Sequence, residues 1–206
     1  MQSGKIILLA TILSVVLFFE NCKKDELSPV EYAAWVENES NGLKVKKNIS
    51  DYEFTLLYKP LDYVVVREMK SEELKKKLLD ERKKELEGMQ YYTLKIKSNT
   101  SNDLMKTGIS SEDEYYQRLE YFMSPAQDDI SLIDGRDTLP CLLYHFERNY
   151  GLAPFNNIVL GFAKTEDKKE QKDKTLIYDD QVLGTGKIQI TIKGNDIEQL
   201  PLLKTY

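Results

Sequence analysis

Apolar and polar side chains alternate along several stretches of the chain, which is the pattern of a β-strand with one buried face. The clearest stretches are 43–46, 51–58, 92–97 and 188–193. A nearly continuous apolar run, Phe155–Ala163, is typical of a strand inside a sheet, where both faces are covered. The pattern therefore predicts a protein built largely from short strands.

Turn residues separate neighbouring strands. A D-G-R-D sequence follows the apolar positions of 130–132 and precedes 138–146, so these segments are predicted to form a β-hairpin. Gly184 and Gly186 separate residues 175–178 from the last predicted strand. Because such short connections can only join antiparallel neighbours, the predicted pairing is antiparallel.

Capping residues mark two helix starts. The sequence S-P-V-E from Ser28 is a capping box with proline at the first helical position, and it predicts a helix to about Glu39. A second S-x-x-E sequence begins at Ser111, and its helix should end before Pro125.

Residues 71–87 form the most highly charged predicted helix. Its apolar stripe is thin and consists of Leu74, Leu78 and Leu86, with Leu79 at the margin. Such a helix is expected to be mostly solvated and to rest one edge on the rest of the protein.

The sequence of Leu61–Met69 is compatible with either a helix or a strand. Three consecutive valines favour a strand, whereas Pro60 at a helix start and Asp62 in the first turn favour a buried helix. Helix is the preferred interpretation.

These elements amount to about eight strands with three or four helical insertions. The predicted fold class is mainly β or α+β, an antiparallel β-sandwich-like domain. Residues 164–174 carry a dense mixture of charges and are expected to form a surface loop between two of the strands.

The first 26 residues differ in character from the rest. Lys5 precedes an apolar block, 6–19, that ends just before Cys22. A block of about fourteen residues suits a secretory signal and is shorter than the roughly 20 needed to span a bilayer as a helix. Residues 1–21 are therefore predicted to be a cleaved signal peptide.

The cysteine after this block resembles the acylated cysteine of bacterial lipoproteins. The sequence C-K-K-D-E is similar to the surface-export signal of Bacteroidota lipoproteins, with Lys24, Asp25 and Glu26 as its charged run. The resemblance implies lipid modification of Cys22 and an outer-membrane location facing the cell exterior. An ordinary cleaved signal with a chance cysteine is the alternative.

The lipoprotein interpretation divides the chain into three parts. Residues 1–21 are the signal, 22–27 a short tether and 28–206 a single globular domain. A second resemblance concerns Asp137-Thr138-Leu139, which is similar to the O-glycosylation signature of Bacteroidota proteins and implies a modified Thr138.

Composition narrows the set of partners. The formal net charge is −5, which argues against nucleic acid and against electrostatic adhesion to anionic lipid. The chain has thirteen tyrosines and seven phenylalanines but one tryptophan. Exposed aromatic rings often bind sugars, although most of these rings are expected in the core.

No catalytic, cofactor or metal site is predicted. Cys141 and His145 lie four residues apart in what reads as one strand, but the cysteine is expected to be a buried small apolar residue. Asp134 and Asp137 could ligate calcium, yet they lack the wider ladder of acidic and amide residues that a calcium loop uses.

Two classes of function remain. The first is a non-enzymatic surface lipoprotein that binds an outer-membrane protein or an extracellular glycan. The second is an outer-surface hydrolase that uses paired carboxylates, for example Glu147, or Asp179 with Asp180, because two carboxyl groups suffice for general acid-base catalysis.

Overall fold

A computed structural model describes residues 24–69, 75–101, 103–165 and 171–205 of the chain. Those residues form eleven strands and five α-helices. The strands are Glu26–Leu27 (β1), Lys44–Ile49 (β2), Tyr52–Lys59 (β3), Met89–Ser98 (β4), Ile130–Asp134 (β5), Asp137–Pro140 (β6), Leu143–Glu147 (β7), Phe155–Ala163 (β8), Lys174–Asp179 (β9), Lys187–Ile192 (β10) and Leu202–Leu203 (β11). The helices are Pro29–Glu37 (α1), Leu61–Met69 (α2), Lys76–Glu85 (α3), Glu112–Met123 (α4) and Gly194–Glu198 (α5).

Two antiparallel sheets contain most of the strands. The larger sheet has the order β2-β3-β4-β8-β7, and the smaller sheet has the order β10-β9-β5-β6. A hydrophobic cluster joins the facing sides of the two sheets and includes Phe54, Leu94 and Ile158 of the larger one. The predicted mainly β, sandwich-like α+β class is confirmed, with more strands than the eight expected.

Local capping chemistry sets the helix starts as predicted. In α1 the Ser28 amide donates to Glu31 Oε2 at 3.0 Å, and the Glu31 amide donates to Ser28 Oγ at 3.4 Å. Ser111 Oγ accepts the Glu114 amide at 3.2 Å at the start of α4. Leu61–Met69 is helical, the preferred alternative.

The charged helix α3 buries Leu79, which lies at the margin of its predicted apolar stripe, instead of Leu78. Leu79 is 4% exposed and belongs to the core, whereas Leu78 is 46% exposed. Ion pairs with α2 accompany this rotation: Arg82 bonds Glu68 at 2.8 Å, and Lys83 lies 2.6 Å from Asp62. The predicted start at Ser71 lies outside the described residues.

The predicted strand 138–146 is wrong as a single element. Residues 137–140 belong to the smaller sheet and 143–147 to the larger one, so the chain changes sheets at Cys141 and Leu142. Pro140 has no amide hydrogen with which to continue a ladder. The Leu142 amide instead donates to the Gly161 carbonyl at 2.9 Å, which starts the pairing of β7 with β8.

Two further segments differ from their expected roles. Lys174, assigned to a surface loop, is buried and begins β9. Glu26 and Leu27, assigned to the tether, form β1 and pair in parallel with Leu202 and Leu203 of β11. The folded part of the chain therefore reaches two residues further towards the N-terminus than the predicted domain boundary at 28.

Candidate functional site

Cys141 and His145, which lie four residues apart in the chain, do not form a nucleophile and its base. Cys141 is buried in the link between the sheets, and its Sγ contacts the Leu143 carbonyl at 3.1 Å. Burial raises the pKa of the Cys141 thiol to about 11, so the thiol is protonated at neutral pH. His145 is exposed on β7. The expectation that Cys141 and His145 share one strand is wrong, because Cys141 lies before β7 begins.

The proposed catalytic carboxylates have structural partners. Asp180 is buried and closes the loop between β9 and β10 by accepting from the amides of Val182, Leu183 and Thr185 at 2.8–3.2 Å. Asp179 is exposed and lies 4.0 Å from Lys187. Glu147 is exposed on β7 and accepts from Asn157 at 2.9 Å.

The aspartate considered for calcium binding is occupied by protein donors. Asp134 Oδ2 accepts from Lys174 Nζ at 2.7 Å, from Gln90 Nε2 at 2.9 Å and from Thr165 Oγ1 at 3.0 Å. Asp137 is exposed at the other side of the hairpin. Within the ranges that the structure describes, no group of three or more His, Cys, Asp or Glu side chains is placed to hold a metal ion.

The residues of the lipoprotein signature lie at or beyond the N-terminal edge of the described chain. Cys22 is outside the described residues. Lys24, Asp25 and Glu26 are exposed, and Glu26 is the first residue of β1. Thr138 is exposed on β6, an edge strand of the smaller sheet, so its hydroxyl is accessible as a modification would require.

A cluster that sequence did not single out combines exposed aromatic rings with an arginine. We call Tyr115, Tyr116, Arg148 and Tyr150 the tyrosine–arginine surface. The rings of Tyr115 and Tyr116 meet edge to face at 5.4 Å between centroids. Arg148 Nη2 donates to the Tyr115 hydroxyl at 2.9 Å, and the guanidinium carbon lies 4.6 Å from the centre of the Tyr150 ring. The four side chains therefore form one continuous chain of contacts.

Three separate elements hold this surface in place. Helix α4 carries both adjacent tyrosines, and buried Arg118 on the same helix donates to the Thr107 carbonyl at 2.6 Å and to the Val182 carbonyl at 3.2 Å. Arg148 directly follows β7. Tyr150 lies in the next loop, where its φ of 56° is unusual for a bulky residue.

Hydrogen bonds from one asparagine fix the Tyr150 loop. Asn149 Nδ2 donates to the Ala153 carbonyl at 2.7 Å and also to the Phe155 carbonyl. Its Oδ1 accepts from the Gly151 amide at 2.9 Å. Because the loop is closed on both sides of Tyr150, the ring is presented at 76% exposure from a defined backbone.

An open hollow of about 560 Å³ adjoins the two tyrosines. Tyr115, Tyr116 and Ile109 give it apolar walls. Its polar walls are Lys106, Ser110, Ser111 and Glu112. Such a volume is within the 300–1,000 Å³ typical of small-ligand sites, and the lining mixes ring faces with hydroxyl and charged groups.

Sequence contained one signal for this site. Neighbouring residues on a helix point about 100° apart, so on a helix as polar as Glu112–Met123 one of Tyr115 and Tyr116 is expected to be more exposed than the other. Tyr115 is partly buried against the core, and Tyr116 is 56% exposed. The contact with Arg148 had no local signal, because it joins residues 33 positions apart.

No model of a protein family, no curated protein sequence and no solved structure matches this chain. None of the helices in the described part of the chain is long and apolar enough to cross a membrane.

Proposed function

We propose that this chain is a lipid-anchored protein of the outer cell surface that acts by binding an extracellular glycan rather than by catalysis. The sequence of residues 1–26 supports the anchor and the location. The hollow beside Tyr115 and Tyr116 supports the binding role, and it is the observation on which that role depends.

The chemistry of the hollow suits a sugar. A pyranose has apolar C–H faces and a rim of hydroxyl groups, so it needs flat aromatic surfaces beside hydrogen-bonding side chains. The exposed ring of Tyr116 offers the first, and Ser110 and Glu112 offer the second. Arg148 holds the Tyr115 ring, and Tyr115 meets Tyr116 edge to face, so the two rings that line the hollow lose little side-chain freedom when a ligand binds.

Glycan binding is tested with the purified full chain and a panel of neutral hexasaccharides, namely those of xylose, mannose and glucose. Tyr116→Ala should weaken binding about fivefold or more, since a stacked ring typically contributes about 1 kcal/mol or more. Leu202→Ala is the matched control, because Leu202 is equally exposed, at 55%, but lies in β11. Equal binding by all three proteins, or a co-purifying outer-membrane protein with no glycan binding, would contradict the proposal.

The anchor is tested by replacing Cys22 with Ser and fractionating cells. One acyl chain gives only marginal binding and two or more give a lasting anchor, so loss of acylation should move the protein from membrane to soluble fractions. Retention of the Cys22→Ser protein in the membrane would show that the unprocessed apolar block, not a lipid, holds the chain.

Surface exposure is tested with Asp25→Ala and Glu26→Ala together. Both side chains are exposed, and β1 pairs through its backbone, with the Leu202 amide donating to the Asp25 carbonyl at 2.8 Å. The double variant should therefore fold normally but resist protease added to intact cells. Unchanged digestion would reject an export role for this run.

A further inference from the structure

The outward face of the larger sheet is rich in lysine. Cross-strand register places Lys46, Thr55, Lys95, Asn157 and Glu147 in one row across all five strands. On the three central strands, β3, β4 and β8, the residues on either side of this row are buried, so the row points away from the smaller sheet. The same alternation puts five lysines on this face, which we call the outer lysine face: Lys44, Lys46, Lys59, Lys95 and Lys97.

The charge of this face is opposite to that of the whole chain. Only Glu53 and Glu147 are acidic on it, whereas the chain carries a formal net charge of −5. Glu39 reaches the β2 edge and pairs with Lys46 at 2.6 Å. Glu39 also lies 3.8 Å from Lys44. Glu53 lies opposite Lys97 in the strand register, but among the described residues neither Lys95 nor Lys97 forms an ion pair with a carboxylate.

The position of Lys95 disfavours its charged form. Burial lowers the pKa of Lys95, and the ammonium groups of Lys44, Lys46 and Lys97 lower it further, against the opposing effect of Glu53. Between Lys46 and Lys95, the buried Thr55 hydroxyl has no hydrogen-bond partner. Like charges on neighbouring strands do not stabilise a sheet, and an anion bound over this face would neutralise them.

Ring and apolar surface lies between the lysines. Lys95 Nζ is 5.2 Å from the centre of the Phe155 ring, and Tyr91 and Val159 are partly exposed on the same face. Sugar rings can pack on such a flat surface while their acidic groups meet the lysines. Double-stranded DNA carries one charge per about 1.7 Å, so the remaining acidic surface would repel it more strongly than a polysaccharide with one carboxylate per sugar.

We propose that the outer lysine face binds an acidic polysaccharide, with Lys95 and Lys97 pairing with its carboxylates and the Phe155 ring packing against its sugar rings. The residues involved are different from those of the tyrosine–arginine surface. The two proposals can therefore fail independently.

The test uses the full chain, purified in detergent, and polygalacturonate as the probe. Lys95→Glu with Lys97→Glu should weaken binding about tenfold or more, and binding by the unaltered chain should fall as salt rises from about 50 to 200 mM. Lys76→Glu with Lys77→Glu makes the same charge change on exposed positions of α3 and should alter binding less than about twofold. If the first pair fails to fold, Lys95→Gln with Lys97→Gln replaces it.

Two further probes separate this proposal from general attraction to anions. Phosphatidylglycerol vesicles and single-stranded DNA should bind more weakly than polygalacturonate at equal salt. Equal or tighter binding of either probe would overturn the proposal. So would an absence of polygalacturonate binding, or an equal loss in the α3 control.

Discussion

Removing the Asp134 carboxylate should be among the most destabilising single changes in this protein. Its ion pair with Lys174 joins β5 to β9 at 2.7 Å, and the two side chains are only 2% and 8% exposed. Asp134→Asn would leave the Lys174 ammonium buried without its counter-ion. Breaking a buried pair in this way typically costs about 3–5 kcal/mol, a large part of the stability of an ordinary domain.

The measurement is the free energy of unfolding from urea titration, followed by circular dichroism. Asp179→Asn is the control, because its partner Lys187 is 4.0 Å away and both side chains are more than half exposed, so the change should cost less than about 1 kcal/mol. Adding Lys174→Met to Asp134→Asn should recover part of the loss, since it removes the unpaired charge. A cost below about 1 kcal/mol for Asp134→Asn would refute the burial on which this reasoning depends.

The same pair predicts a pH dependence. Burial acts to raise the pKa of Asp134, but hydrogen bonds from Lys174, Gln90 and Thr165 and the charge of Lys174 outweigh it, so the pKa lies below the ordinary aspartate value. Because the pKa of Asp134 is lower in the folded state than in the unfolded state, the ionised carboxylate stabilises the fold at pH values above the unfolded-state pKa of about 3.9. This contribution is lost as the pH falls through the folded-state pKa. Stability should therefore decline below about pH 4, and Asp134→Asn should flatten that decline.

Four other substitutions test three separate parts of the structure. Leu79→Ala should cost about 2–5 kcal/mol in urea titration and Leu78→Ala under about 0.5 kcal/mol; the reverse order would mean that α3 is rotated. Thr55→Val should raise the free energy of unfolding by about 1 kcal/mol, because it removes an unpaired buried hydroxyl, and a loss would show that the hydroxyl has a partner. Asp180→Asn should lower the melting temperature and the free energy of unfolding by about 2 kcal/mol or more, since it weakens a carboxylate that accepts three backbone amides; no change would argue that the loop is not closed by it.

Sequence predicted those parts of the fold that are set by neighbours in the chain. The capping box at Ser28 and the Ser111 cap act within one turn, so their geometry is readable locally. Alternation likewise identified β3 and β4, because each strand has one face in the core. Helix α2 is also set locally, because the Pro60 carbonyl accepts the first helical hydrogen bond from the Val64 amide.

The errors concern choices that depend on distant residues. Pro140 is a local sign that a strand breaks within 138–146, but no residue there shows that the chain continues in the other sheet, because both halves have the same period. Lys174 resembles its charged neighbours, and only the position of Asp134, 40 residues earlier, makes its burial favourable. The tyrosine–arginine surface has the same origin, since Arg148 meets Tyr115 only after β7 packs beside α4.

The four acidic residues fall into two groups according to what their carboxylate oxygens contact. This difference affects how the hydrolase alternative can be tested. Asp134 and Asp180 are buried and already accept several hydrogen bonds, whereas Glu147 and Asp179 are exposed and lie on different sheets. Catalysis by two carboxylates requires both to face one substrate, about 5–9.5 Å apart in glycoside hydrolysis. Loss of activity in an Asp180 variant would therefore have an ordinary explanation in an unfolded loop. Turnover would count as evidence for catalysis only if the inactive variant kept the urea midpoint of the unaltered chain.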